Sequence, residues 1–287
     1  MRVSAVVVNY KAAELALRCV RSLRAEGVTD IVVADNDSGD GVDRLLREAD
    51  PETRFLQTGA NLGFGGGANR GAAVTDPDND VLLVCNPDVE VEPGAVKAML
   101  AVLDEHPDVG IVGPLIQDPN GEVYPSPRIF PGLVDAVGHA FVGFFKPNNQ
   151  FTRRYRMLDF DRTTASADVD WVSGSCFVIR RSVWDRLGGF DESYFMYAED
   201  VDLCWRARQA GWRTAFEPAA RIVHVQGAST NLRAYRMIVR HHLSILKFWA
   251  KTVQGPQKAL VPLGAVLLGL RAGLACGQRA IRAARAR

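Results

Sequence analysis

The chain has 287 residues, with 34 Lys and Arg against 33 Asp and Glu, and 47% of its residues are hydrophobic. That length buries a sizeable core in one large domain or two small ones. Charged residues at 23%, with 26 Gly and 14 Pro, exclude wholesale disorder and collagen-like repeats. The net charge of +1 hides a split: Pro218 to Arg287 carries 12 Lys or Arg and no acid, against 22 basic and 33 acidic side chains before it. An acidic body with a basic C-terminal quarter is a statement about partners.

The elements alternate through the first half. Val3–Val8 reads as a buried strand, and residues 12–25 as a helix with Leu15, Cys19 and Leu23 on one face. A second strand at 30–34 is followed by the polar turn Asp35-Asn36-Asp37-Ser38-Gly39-Asp40-Gly41. A short strand at 54–57, a helix at 66–74 and a strand at 81–85 come next, and Pro93 stands as the first residue of a helix running to His106. This alternation implies an α/β fold with a mostly parallel sheet and helices on both faces. Later, 110–117 and 122–124 form a hairpin around an Asn-Gly turn, and 126–167 is an irregular covering segment. Residues 171–180, 212–216 and 221–225 read as strands, 199–210 as a helix, and 231–251 and 258–287 as basic helical stretches.

Five scattered cysteines, Cys19, Cys85, Cys176, Cys204 and Cys276, form no CxxC pair and read as reduced thiols. Met1–Val8 lacks the basic region, long apolar run and cleavage site of a signal peptide, so a cytoplasmic protein is expected.

In open α/β sheets ligands bind beyond the carboxyl ends of the strands, which directs attention to Asn9, Asp35 and Asn86-Pro87-Asp88. Asp35 suits a ribose hydroxyl or base N–H, and equally a turn with a helix cap. Asp88 suits a hard divalent cation on a diphosphate, and equally an Asn-Pro-Asp turn. Gly63, Gly65 and Ala68 fit a G-x-G-x-x-A fingerprint, but the run follows the third strand and not the first, which argues against a dehydrogenase. Those glycines instead suggest close backbone approach to a ligand, with Asn61 and Asn69 supplying amide contacts.

Glu199, Asp200 and Asp202 open a helix. They serve either its dipole or a catalytic purpose, since Glu199 and Asp200 diverge by about 100° and one of them can face a cleft as general base. His224 ends a strand, where an ordinary structural histidine is the competing reading. Trp171 and Phe190 suit sugar faces or the core, and Arg128 with Arg153-Arg154 suits a lipid-linked diphosphate or a solvated loop.

Val6-Val7-Val8-Asn9-Tyr10, Ala34 through Gly41, Asn61 through Gly71, Asn86-Pro87-Asp88 and Glu199 through Leu203, in this order, resemble family 2 glycosyltransferases of the GT-A fold over about residues 3–230. Thr58–Gly63, Gly113–Ile116, Val123–Arg128, Trp171–Cys176 and Gly188–Tyr197 carry a closer likeness to the actinobacterial rhamnosyltransferases of the cell-wall linker unit. The resemblance implies a Rossmann-like domain at 1–230 and a basic helical extension at 231–287. It implies inverting transfer of L-rhamnose from dTDP-L-rhamnose to N-acetylglucosaminyl-diphosphoryl-polyprenol. Asp200 would be the base. Asn9, Asp35, Asn61, Gly63, Asn69, Asn86 and Asp88 would serve the nucleotide sugar, and Trp171, Ser173, Gly174, Glu199 and Arg128 the acceptor. Asp88 and His224 would hold Mg²⁺ or Mn²⁺. Asn86 departs from the pattern, since many relatives carry Asp there, and leaves a single carboxylate. Another donor or acceptor, or a sugar-nucleotide-binding protein without activity, are the rival readings.

In the tail, the uncharged run 259–270, interrupted by Pro262 and ended by Arg271, falls short of the ~20 residues that span a bilayer. With Arg279, Arg282, Arg285 and Arg287 beyond it, it reads as an interfacial anchor on an anionic cytoplasmic leaflet. A homo-oligomer contact is an alternative, and the lack of aromatics after Trp249 argues against nucleic acid.

Overall fold

The computed structural model describes residues 1–130, 132, 138, 142, 143, 146, 148–163, 166–225 and 234–285. Strands β1 (Val3–Asn9), β2 (Asp30–Asp35), β3 (Arg54–Gln57) and β4 (Val81–Cys85) are parallel, in the order β3-β2-β1-β4. The sheet continues through β9 (Cys176–Arg180), β6 (Val109–Gln117), β10 (Arg213–His224) and β5 (Val89–Val91). β9 runs antiparallel to both β4 and β6, and β10 is parallel to β6, so six of these eight strands point the same way. β7 (Val123–Tyr124) pairs β6 across the Asn-Gly turn, and β8 (Ala167–Val169) pairs β10.

The apolar runs become central strands because both faces are covered. Ala5 and Val7 of β1, with Val81, Leu83 and Cys85 of β4, join a layer with α1 (Ala13–Ala25), α2 (Val42–Ala49) and α4 (Ala95–Glu105). Val6, Val8, Leu82 and Val84 point the opposite way, as the two-residue period of a strand requires. They meet α3 (Gly63–Ala72), α6 (Arg181–Leu187) and α7 (Glu199–Gln209). Residues of the covering segment form α5 (Gln150–Tyr155), capped by Asn149, whose side chain accepts from the Phe151 and Thr152 amides.

Several expectations shift. The two late strands are one, β10, with an irregular step between Glu217 and Arg221 around Pro218. Trp171 to Ser175 is not strand; it makes one antiparallel bridge, Arg128 to Trp171, before β9 begins at Cys176. α2 was absent from the sequence reading, because only Val42 and Leu46 of its eight residues are buried. α4 starts at Ala95, after Pro93, and its N-terminus is capped by Glu26, the residue that follows α1, which accepts from Gly94 N (2.7 Å) and Val96 N (3.0 Å).

The chain ends in α8 (Ala234–Thr252), a 3-10 turn at Gly255–Leu260 and α9 (Val261–Arg285). Trp249 abuts Gly264 and Arg271 bonds His242, so the two helices run antiparallel as a hairpin. Here the tail reading is corrected. Pro262 sits in the first turn, where its missing N–H costs nothing, and Arg271 is half-buried against His242. The helical stretch Gly255–Ile281 is therefore continuous, exposed, and long and apolar enough to cross a membrane by length and composition. The expected 230/231 boundary, Arg287 and the side chains of Arg282 and Arg285 lie outside the described residues.

Candidate active site

A cleft of about 650 Å³ opens over the carboxyl ends of β1, β2 and β4. One end is lined by Tyr10, Lys11, Asn36, Asn61 and Gly63, and the middle by Asn86, Asp88 and His224. Toward the other end stand Arg128, Trp171, Ser173, Gly174, Glu199 and Asp200. Arg236, Met237, His241 and Ile245 of α8 close it.

Asp88 and His224 are 136 residues apart in sequence and meet through sheet pairing. β5 runs antiparallel to the end of β10, with His224 opposite Val89, and Val225 N donates to Asp88 O (3.1 Å). His224 Nε2 then lies 3.0 Å from Asp88 Oδ1 and 3.3 Å from the Asn86 amide. One imidazole nitrogen thus faces a carboxylate and an amide at once, and the amide, turned by half, offers its oxygen. Among the described residues no group of three or more His, Cys, Asp or Glu side chains gathers in metal-binding geometry.

Asp200 sits at the first turn of α7. Its Oδ2 accepts from Gly174 N (2.9 Å) and its Oδ1 from Val201 N (2.9 Å), which fixes the carboxylate plane. Gly174 permits this approach, since a Cβ there would stand 3.0 Å from the Asp200 Cβ. Burial pushes the Asp200 pKa up, against the pull of the two amides and the Arg128 guanidinium. Beside it, burial and then the Asp200 charge push Glu199 up to about 8, and Glu199 Oε2 is buried without a hydrogen-bond partner. The pair therefore divides into a neutral Glu199 and an Asp200 that ionises first. Asp202 faces away from the cleft, fully buried between Arg206 (2.7 Å) and Lys251 of α8 (2.6 Å).

Asn9 and Asp35 are buried behind the cleft wall and do not line it. Asn9 Nδ2 donates to Asp35 Oδ1 (2.8 Å), and Asp35 accepts from the Ser38 amide and hydroxyl, which shapes the turn that presents Tyr10, Lys11 and Asn36. Asn61 turns the chain into α3, its side-chain oxygen accepting from Gly63 N (3.0 Å). Gly63 has φ +80°, and a Cβ there would fall 1.9 Å from Phe195 O, so only glycine fits. Asn69 is a correction. It lies outside the cleft, donating to Phe190 O (3.0 Å) and accepting from Phe190 N (2.9 Å), and so clamps α3 to the segment before α7. Other glycines of α3 are corrected too: Gly65, Gly67 and Gly71 let the helix pack on Phe190, Val8 and Val6, not on a ligand.

Trp171 lines the cleft while its Nε1 donates to Ile129 O (3.0 Å), and Phe190 is wholly core, edge-on to Trp184, Phe177 and Phe64. The α8 residues, Tyr124, Tyr155, Arg156 and Tyr197 escaped the sequence reading. His241 of α8 faces the Tyr197 ring at 5.1 Å in the cleft. All five cysteines are free, and Cys19 and Cys85 are hydrogen-bonded at 3.6 Å.

An open α/β sheet with a cleft beyond its strand ends and a buried, hydrogen-bonded carboxylate in that cleft is the architecture shared with GT-A glycosyltransferases. A mannosyltransferase from Pyrobaculum calidifontis, solved in complex with GDP-Man and Mn²⁺, superposes with TM-score 0.60 at 17% identity, covering 98% of this chain and 75% of that one. The family model described as "Glycosyltransferase like family 2" matches residues 1–240, and the chain belongs to that family. The N-acetylglucosaminyl-diphospho-decaprenol L-rhamnosyltransferase of Mycobacterium tuberculosis is 40% identical over 243 residues, 82% of this chain and 78% of the relative. The rhamnosyltransferase WbbL of Escherichia coli is 28% identical over 58% of this chain and 62% of its own length. The protein is thus a glycosyltransferase.

Proposed function

We propose that the protein transfers L-rhamnose from dTDP-L-rhamnose to N-acetylglucosaminyl-diphosphoryl-polyprenol, by one inverting displacement at the cytoplasmic membrane face. The observation that carries the transferase reading is the presence, in one cleft, of a clamped carboxylate, Asp200, and the Asp88–His224 pair. The donor and acceptor follow from the likeness to the mycobacterial enzyme.

The residues at Asp88 fit a divalent cation, Mg²⁺ or Mn²⁺, which Asp88, His224 and the Asn86 amide, converging within 3.3 Å, would hold. A cation bound there supplies charge neutralisation for the departing nucleoside diphosphate. Tyr10, Lys11, Asn36, Asn61 and Gly63 form the wall for the nucleoside, braced from behind by Asn9 and Asp35. Asp200 accepts the proton of the acceptor hydroxyl as that oxygen attacks the anomeric carbon. Its two amide donors hold the carboxylate in one orientation, and burial makes it a stronger base than an exposed aspartate. Glu199, kept neutral, leaves Asp200 as the ionised member of the pair. Trp171, Ser173, Gly174 and Arg128 flank the acceptor.

We assign catalysis to residues 1–230 with the α8 wall, and membrane attachment to the hairpin of α8 and α9. Exposed Leu263, Val266, Leu270 and Leu274 on α9, with Val239 and Leu243 on α8, give that hairpin an apolar surface in an acid-free, basic segment. The donor is tested by thermal-shift titration of dTDP-, UDP- and GDP-sugars with Mg²⁺ or Mn²⁺. The expected result is the largest stabilisation by dTDP-rhamnose; a preference for UDP- or GDP-sugars refutes the donor.

A further inference from the structure

Three arginines gather at the Asp200 end of the cleft. Arg128 is drawn in by its backbone bridge to Trp171, 3.1 Å in both directions, on the strand of chain that continues to Gly174 and its bond to Asp200. Arg156 follows the last turn of α5 and lines the same cleft. Arg162 stands behind them, its Nη2 donating to the carbonyls of Arg156 and Met157.

Arg128 is held in an aromatic cage. Its guanidinium carbon lies 4.9 Å from the Trp171 ring centre, 5.4 Å from Tyr124 and 5.8 Å from Tyr155, and it donates to Tyr124 Oη (2.7 Å) and Pro125 O (2.9 Å). Such a cage fixes the fork without neutralising it. Among the described residues none of the three arginines forms an ion pair, and the Nε atoms of Arg156 and Arg162 are buried with no hydrogen-bond partner. Burial, with the Arg128 charge, pushes the Arg162 pKa down. Concentrated, partly dehydrated guanidinium charge is costly unless an anion completes it, and guanidinium forks match phosphate oxygens in pairs.

The donor diphosphate belongs at the other group of ligands, Asp88 with His224, so it does not complete this one. The acceptor has a diphosphate of its own, on the anomeric carbon of the sugar whose hydroxyl must reach Asp200. Base and anion receptor must therefore sit about one sugar ring apart, and Arg128 is close enough to Asp200 for the two charges to interact. We propose that Arg128 and Arg156 form a second, metal-free diphosphate site that holds the lipid-linked diphosphate of the acceptor. This rests on the acceptor proposed above.

The test uses the full-length enzyme and Arg156→Gln, with Arg156→Lys as the conservative control. Two acceptors are compared: N-acetylglucosamine linked through diphosphate to a short prenyl chain, and its alkyl glycoside without diphosphate. The wild-type preference for the diphosphate acceptor in kcat/KM should fall about tenfold or more in Arg156→Gln, with donor KM within about twofold, and recover only in part in Arg156→Lys, which keeps the charge without the fork. Calorimetric titration with farnesyl diphosphate in EDTA reads the site independently of turnover. Wild type should bind and Arg156→Gln should bind about tenfold more weakly. Equal losses on both acceptors, a rise in donor KM alone, or farnesyl diphosphate binding that ignores Arg156 overturns the site. A wild type that transfers to neither acceptor refutes the acceptor reading, and the titration still decides the site.

Discussion

Replacing Glu199 by Gln removes a carboxyl that the fold keeps protonated, and the consequence is a changed dependence of stability on pH. Burial first, and the neighbouring Asp200 charge second, raise the Glu199 pKa from 4.5 to about 8. Between those two values the folded protein holds a proton that the unfolded chain has released, so stability falls as pH rises through that window. At about 1.4 kcal/mol per unit, the whole displacement is worth up to about 5 kcal/mol. Glutamine is close in shape to the neutral acid and does not titrate. Urea unfolding of both proteins at about pH 5 and about pH 8.5 should therefore give a gain for Glu199→Gln that is small at the lower pH and reaches several kcal/mol at the higher. An equal difference at both pH values would refute the neutral Glu199.

Two other perturbations follow from the geometry. His224→Ala removes the imidazole donor and leaves Asp88 with the Asn86 amide, so Mn²⁺ affinity, titrated in the presence of dTDP, should fall about tenfold or more; unchanged affinity removes His224 from the metal site. Deleting residues 256–287 removes α9, and sedimentation with anionic vesicles should be lost; retained binding assigns attachment elsewhere.

The sheet and the helix start that carries Glu199 and Asp200 were legible because each depends on local pattern. Ala5–Val8 and Val81–Cys85 are continuous apolar runs suited to central strands, and Glu199-Asp200 opens its helix as spaced. What escaped depends on contacts distant in sequence. Nothing near Asn69 says that its amide completes the backbone of Phe190, 121 residues away, so an amide among glycines read as a ligand contact. Arg156 is likewise invisible in an irregular segment, and nothing within the basic stretch 231–251 says that its Lys251 meets the buried Asp202. The tail misled because an arginine in an apolar run reads as its end, whereas Arg271 has a partner in His242.

Asp200 as the base of a rhamnosyl transfer is tested most directly by one comparison. Purified wild type and Asp200→Asn, given dTDP-rhamnose, a divalent cation and N-acetylglucosaminyl-diphosphoryl-polyprenol, should differ in one respect only. The wild type yields the rhamnosylated lipid. The variant binds dTDP-rhamnose with unaltered affinity but forms product about 10²–10⁴-fold more slowly. Product formation by Asp200→Asn at the wild-type rate, or no rhamnosylated lipid from the wild type, would contradict it.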